Sequence, residues 1–203
     1  MTPAQKLFRS PCVFVGSVAQ WHQLPACDKP EFALVGRSNA GKSSLLNALV
    51  GQQVARASAT PGRTQQLNFF CLNEQVYLVD LPGYGFAKAP KAQVKTWQSA
   101  MRTYLRGRPN LRRVFLLMDA RQGVMKSDQE MMDMLDETAV VFQVVLTKAD
   151  KLSPAQQEQV IKQVQQATEK HVARYPEIVL TSAQTGQGIE FVQEAVYTGI
   201  KHR

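Results

Sequence analysis

Along this chain, short unbroken apolar runs alternate with stretches in which apolar residues recur every three or four positions. Phe32-Ala33-Leu34-Val35 is strand-sized and ends in a glycine-rich turn, after which 43–50 reads as a helix. Leu67–Leu72 and 76–79 read as strands joined by a hairpin turn at Asn73-Glu74. Val94, Trp97, Met101, Tyr104 and Leu105 share one helical stripe that stops at Gly107-Arg108-Pro109. A buried strand is predicted over 114–118. Next comes a helix over 127–138 with Met131, Met134 and Leu135 inward, then a strand over 140–146. Ser153-Pro154 opens a helix with proline at its first position, running toward Ala173 with Val160, Val164 and Ala167 inward. The pattern closes with a short strand at 178–180 and a helix from about Ile189 to Tyr197. Strands alternating with helices imply an α/β fold: a mostly parallel six-stranded sheet, helices on both faces, and one antiparallel edge strand from the hairpin. The first 30 residues read as an irregular extension packed on this domain, to which 13–18 could add a strand; 31–200 form the domain and 201–203 a basic tail.

Composition narrows the class. At 203 residues, 44% hydrophobic and 20% charged, the chain has the size and make-up of one globular domain. No apolar run approaches the ~20 residues of a membrane span, and Lys6 and Arg9 precede no secretory apolar core. Three scattered cysteines (Cys12, Cys27, Cys71) form no disulfide framework and fit a reducing, cytoplasmic setting. His22, His171 and His202 show no metal-ligand spacing. The net charge of +8 is unevenly placed. Between Leu81 and Met118 stand Lys88, Lys91, Lys95, Arg102, Arg106, Arg108, Arg112 and Arg113 with no acid, and the rest of the chain is neutral. That segment reads as a surface for a polyanion.

Four motifs carry chemistry, each at a strand end, where such sheets bind ligands. Gly36-Arg37-Ser38-Asn39-Ala40-Gly41-Lys42-Ser43 matches the P-loop pattern G-x-x-x-x-G-K-[ST]. Its backbone N–H groups and the helix N-terminus would cradle phosphates, Lys42 would reach the β- and γ-phosphates, and Ser43 would hold Mg²⁺. Asp80-Leu81-Pro82-Gly83 is a D-x-x-G in which Asp80 would bind Mg²⁺ through water and the Gly83 N–H would meet the γ-phosphate. Read alone, it is an ordinary strand-end turn. Thr147-Lys148-Ala149-Asp150 supplies a carboxylate able to accept from guanine N1–H and N2–H₂, which adenine does not offer. Thr181-Ser182-Ala183 offers a backbone N–H to guanine O6.

In order and spacing these motifs resemble G1, G3, G4 and G5 of the translation-factor class of P-loop GTPases, and imply a Ras-like GTPase domain. The match extends through Ser44-Leu45-Leu46-Asn47-Ala48-Leu49, Thr60-Pro61-Gly62-Arg63-Thr64-Gln65 and Asp80-Leu81-Pro82-Gly83-Tyr84-Gly85. With these segments the chain is similar to the EngB (YihA/YsxC) ribosome-biogenesis GTPases of bacteria, over almost its whole length. The resemblance implies a monomeric, cytoplasmic GTP-hydrolysing assembly factor for the large ribosomal subunit, needed for normal cell division and septation. It also implies that Gly62, Arg63, Thr64, Gln65 and Gln66 join the nucleotide site, with the Thr64 hydroxyl beside Ser43 on Mg²⁺ when GTP is bound. From the residues alone, Thr64 is equally well a structural threonine after a flexible loop. Ras-type enzymes place a water-orienting Gln directly after D-x-x-G; here that position is Tyr84, so slow intrinsic hydrolysis is expected. Asn39 matches the residue that coordinates K⁺ in potassium-stimulated GTPases, where the cation neutralises transition-state charge. A left-handed turn residue explains Asn39 equally well. Lys42, Thr64, Gly83 and Asn39 are thus the candidate catalytic set.

The basic segment begins in the region after G3, which nucleotide state could reposition. Its charges could neutralise rRNA phosphates, with Tyr84, Phe86, Trp97 and Tyr104 as stacking groups, although Trp97 and Tyr104 fit the core stripe better. The methionines at 131, 132 and 134 read as core, and Lys201-His202-Arg203 as a solvated tail. Two other functions stay open: a protein-directed GTP switch in division control without RNA contact, and a P-loop kinase or ATPase. The Asp150 motif argues against the last.

Overall fold

Hydrophobic strands buried on both faces need helices on both sides, and the computed structural model has that layering. It describes residues 1–19, 23–55, 66–85 and 91–201. Among them are β1 (Cys12–Val18), β2 (Glu31–Gly36), β3 (Leu67–Leu72), β4 (Val76–Asp80), β5 (Leu111–Asp119), β6 (Phe142–Thr147) and β7 (Val179–Leu180). The helices are α1 (Pro3–Phe8), α2 (Lys42–Val50), α3 (Lys91–Gly107), α4 (Lys126–Glu137), α5 (Pro154–Thr168) and α6 (Ile189–Lys201). The sheet order is β1-β3-β4-β2-β5-β6-β7. Only β3 runs against its neighbours. The N-terminal strand does form and covers β3, so the antiparallel strand stands second from the edge of a seven-stranded sheet.

Alternation within β2 sorts the two cores. Phe32 and Leu34 pack with Leu7 and Phe8 of α1, Leu45, Leu46 and Leu49 of α2, and Val192 and Val196 of α6. Ala33 and Val35 face Met101, Tyr104 and Leu105 of α3, Met131 and Leu135 of α4, and Val160 and Val164 of α5. The β3–β4 turn follows from its residues. Asn73 and Glu74 both take positive φ (51° and 54°), the geometry of a tight hairpin.

Three expectations are corrected. Val94 is exposed, so the buried stripe of α3 begins only at Trp97. The helix expected to run to Ala173 ends at Thr168, whose hydroxyl bonds back to Val164 O (2.7 Å), and His171 turns inward onto Asp136 (2.7 Å). The irregular N-terminus contains α1, closed by a reciprocal cap. Thr2 Oγ1 accepts from Gln5 N–H (3.2 Å) and Gln5 Oε1 from Thr2 N–H (2.9 Å). Six residues do not hold a helix alone. Buried Leu7 and Phe8 add roughly 3–6 kcal/mol together, so packing decides.

Candidate functional site

Strand β2 is hydrogen-bonded to β4 on one side and β5 on the other, so its carboxyl end is the switch point of the sheet. There the chain turns through Arg37–Gly41 into α2. Gly36 must be glycine because a Cβ would stand 2.7 Å from Leu117 O. Asn39 and Gly41 take left-handed φ (65° and 91°), bending successive N–H groups into a concave nest. No side chain caps α2, and no acid sits in its first turn. Its N-terminal donors therefore meet an anion unopposed.

Beside the nest lie Lys42 and Asp80. Burial pulls the Lys42 ammonium below the ordinary lysine range, and the charge of Asp80 partly restores it. Burial likewise pushes the Asp80 carboxyl up to about 6, against the pull of Lys42. Asp80 Oδ1 is sealed from solvent and has no hydrogen-bond partner. An orphaned carboxylate oxygen next to a phosphate nest, with the Ser43 hydroxyl in the first turn of α2, is a donor set that suits a hard cation such as Mg²⁺.

The third and fourth motifs are joined to each other and to the nest. Thr147 Oγ1 donates to Ala40 O (2.7 Å), and Lys148 Nζ to Asn39 O (2.7 Å). Ala149 N–H donates to Thr181 O (3.0 Å). Ser182 Oγ–H donates to Asp150 Oδ1 (2.6 Å), and Lys151 Nζ lies 3.1 Å from its Oδ2. The Ser182 hydrogen bond, and then Lys151, hold the Asp150 carboxyl below its usual range. A cavity of about 450 Å³ is lined by Gly41, Asn47, Thr147, Lys148, Asp150, Thr181 and Ala183, bringing three of the four motifs to one space.

The sequence reading passed over Asp119 at the end of β5. Burial would raise its carboxyl, but Arg121 (2.6 and 2.9 Å) and Lys148 (3.0 Å) hold it well below the usual carboxylate range. It braces Lys148 on the P-loop. Asp119-Ala120-Arg121 at a strand end was the available signal.

Gly83 stands against the P-loop, where a Cβ would lie 3.2 Å from Lys42 Nζ. Leu81 and Pro82 are buried beneath it, with Leu81 N–H on Leu34 O (2.9 Å). Tyr84, at the expected Gln position, is buried and donates its hydroxyl to Asp128 Oδ1 (2.7 Å). Burial first, and then Asp128, push that phenol well above its ordinary range. Gly62, Arg63, Thr64 and Gln65 lie outside the described residues, and Gln66 is exposed just before β3.

The basic segment is only partly a free surface. Arg108 is buried, with both Nε and Nη2 on Glu31 and Nη1 on Pro25 O (2.8 Å). Arg102 pairs with Glu137 (3.2 Å). Arg113 bonds Gln143 (2.7 Å) and lies 3.9 Å over the Tyr175 ring. Lys95 and Arg106 are exposed and Arg112 is half-buried. The stacking role considered for Tyr84 and Tyr104 is excluded by burial, Trp97 packs partly buried on the core, and Phe86 and Lys88 lie outside the described residues.

Fold and motifs have counterparts in known proteins. Residues 31–148 match the family model of the 50S ribosome-binding GTPase, and residues 101–202 that of the elongation factor Tu GTP binding domain. A crystal structure of "a probable GTP-binding protein engB" superposes with a TM-score of 0.67 at 22% identity, over 85% of this chain and 99% of that one. Era crystallised with MgGDPNP and 16S ribosomal RNA nucleotides superposes at 0.66 with 24% identity, over 86% of this chain and 57% of that one. At these identities both speak for the fold. The chain is a P-loop GTPase. The "Probable GTP-binding protein EngB" of Cereibacter sphaeroides is 53% identical over 193 residues, 95% of this chain and 89% of that protein. The one from Rhodospirillum rubrum is 51% identical over 193 residues, 92% of this chain and 84% of that protein. The chain belongs to the EngB family of GTP-binding proteins, so its ligands are GTP and GDP and its reaction is GTP hydrolysis. Among the described residues no helix is long and apolar enough to cross a membrane.

Proposed function

We propose that the protein is a nucleotide-switched assembly factor for the large ribosomal subunit, working as a cytoplasmic monomer and needed for normal cell division. The observation that carries this reading is the acid-free stretch from Leu81 to Met118, which starts at the nucleotide site and continues into α3 with Lys95 and Arg106 exposed. A polyanion surface fused to a GTP-dependent loop couples nucleotide state to RNA binding. The match to a ribosome-binding GTPase model over the same stretch supports it.

In this reading residues 31–200 are the GTP-binding domain, 1–30 an extension packed on it, and 201–203 a basic tail. Residues 36–43 cradle the phosphates, with Lys42 on the β- and γ-phosphates. Ser43, Asp80 and, in the GTP state, Thr64 hold Mg²⁺, which supplies charge neutralisation on the phosphates when bound. The Gly83 N–H meets the γ-phosphate. Gly62, Arg63, Gln65 and Gln66 flank it. Asp150 accepts from guanine N1–H and N2–H₂, while Thr147, Lys148 and Ala149 position it and 181–183 close over O6. Hydrolysis by the isolated protein is slow, since the phenol of Tyr84 stands where Ras-type enzymes place the amide that orients the attacking water. Asn39 would hold K⁺, which, like a group donated by the ribosome, would neutralise transition-state charge and speed the reaction.

Sedimentation with purified large subunits tests this. Binding with a non-hydrolysable GTP analogue and release with GDP are expected. No binding in either state overturns the ribosomal reading in favour of a switch directed at protein.

A further inference from the structure

The loop after Asp80 lies folded onto the P-loop. Tyr84 N–H donates to Gly36 O (3.3 Å) and Ser38 N–H to Tyr84 O (3.2 Å), a parallel bridge centred on Arg37 and Tyr84. A Cβ on Gly83 would lie 3.2 Å from Lys42 Nζ and 3.3 Å from Ser38 N. Those are groups a P-loop turns toward the β- and γ-phosphates. One P-loop donor is therefore already bonded to the chain's own carbonyl, and backbone occupies the space beside the lysine.

The Tyr84 side chain fixes this arrangement from the other end. Its hydroxyl donates to Asp128 Oδ1 (2.7 Å), and Asp128 Oδ2 accepts Met125 N–H (2.8 Å) at the start of α4. Asp128 is 1% exposed and Tyr84 5%, so neither exchanges its partner for water. The ring also packs at 6.1 Å on Trp97 of α3. Nothing in the nucleotide motifs requires Asp128, which lies 44 residues beyond Tyr84.

We propose that Asp128 is a positioning residue of the nucleotide switch: through the Tyr84 hydroxyl it holds Gly83 and Tyr84 across the P-loop and so biases the protein toward GDP over GTP. This rests on the P-loop reading above. A diphosphate leaves the bridge intact, whereas a γ-phosphate beside Lys42 displaces Gly83 and frees Ser38 N–H. A backbone shift of about 1 Å takes the Tyr84–Asp128 pair out of hydrogen-bond range. The closed arrangement then loses its side-chain bond at the moment GTP binds. Removing that bond in advance shifts the population toward the GTP-competent form.

The test titrates fluorescent GDP and a non-hydrolysable GTP analogue against the full chain as wild type, Tyr84→Phe and Asp128→Asn. Tyr84→Phe keeps the ring packing and should raise the ratio of GTP-analogue to GDP affinity roughly tenfold or more, the worth of one charge-assisted bond. Asp128→Asn should move the ratio the same way, and the double variant should add little to either. A merely structural role would lower both affinities together and leave the ratio alone. If Tyr84→Phe does not fold, Asp128→Asn carries the same measurement. A ratio within about twofold of wild type in a folded variant overturns the proposal alone. Wild-type protein that binds neither nucleotide overturns the site reading as well.

Discussion

In the proposed site, base selectivity rests on Asp150. Ser182 and Lys151 keep it ionised and aimed, so it only accepts hydrogen bonds, as guanine N1–H and N2–H₂ require. Asp150→Asn should weaken GTP binding by at least about tenfold. It should also turn preference toward xanthosine nucleotides, whose C2 carbonyl accepts from the new amide. Competition titration reads both effects, and unchanged GTP affinity would remove Asp150 from the site. Asp80 gives a prediction with a pH sign. Burial raises its folded pKa from 3.8 to about 6, so the carboxyl takes up a proton on folding between those values. The ionised form therefore burdens the nucleotide-free fold fully above about pH 6, and the burden vanishes as pH falls toward 3.8. Asp80→Asn should raise the melting temperature of nucleotide-free, Mg²⁺-free protein by several degrees near pH 8. Near pH 4.5 the gain should be much smaller. In the same variant near pH 8, Mg²⁺ should strengthen GTP binding less than it does in wild type. Equal gains at both pH values would contradict the assignment.

Among the elements, one buried carboxylate ties β2 to α3 and to the turn between α3 and β5. Glu31 opens β2 with no exposed surface and accepts from Arg108, Tyr104 (3.0 Å) and Asn110 (3.0 Å). This pins the C-terminal end of α3, at the end of the element away from the D-x-x-G loop. Arg108→Ala leaves a buried charge without its partner and should cost about 3–5 kcal/mol. A thermal melt should show a drop on the order of 10 °C. Guanine-nucleotide affinity measured well below the transition should change little. A melt within about 2 °C of wild type would contradict the anchoring role. The same cluster explains a limit of reading by sequence. Glu31 and Arg108 are 77 residues apart, so a charge count along the chain assigns Arg108 to the surface. Local signals did better. The Asn73-Glu74 hairpin and the Ser153-Pro154 cap were legible because backbone geometry over a few adjacent residues determines them. Helix α1 carried its own signal in Thr2-Pro3-Ala4-Gln5, but six residues are too few for periodicity to register.

Across the whole molecule, the nucleotide motifs were legible because each is a run of neighbouring residues at a strand end, at 36–43, 80–83, 147–150 and 181–183. What joins them was not. Asp119 on Lys148, Thr147 on Ala40 and Asp128 on Tyr84 are contacts that only the folded sheet creates. The charge map needed the same revision. With Arg108 internal and Arg102 and Arg113 engaged within the chain, Lys95 and Arg106 are, among the described side chains, the exposed charges through which α3 would meet RNA, the Lys91 side chain lying outside them. The most direct measurement is therefore binding of purified large ribosomal subunits across a salt series. It compares wild type with Lys95→Ala/Arg106→Ala, each with GTP analogue and with GDP. Binding with the analogue should fall steeply with salt, and the log–log slope should be flatter by roughly 1–2 in the variant while GTP affinity stays near wild type. Binding that ignores nucleotide, salt and both substitutions would contradict this.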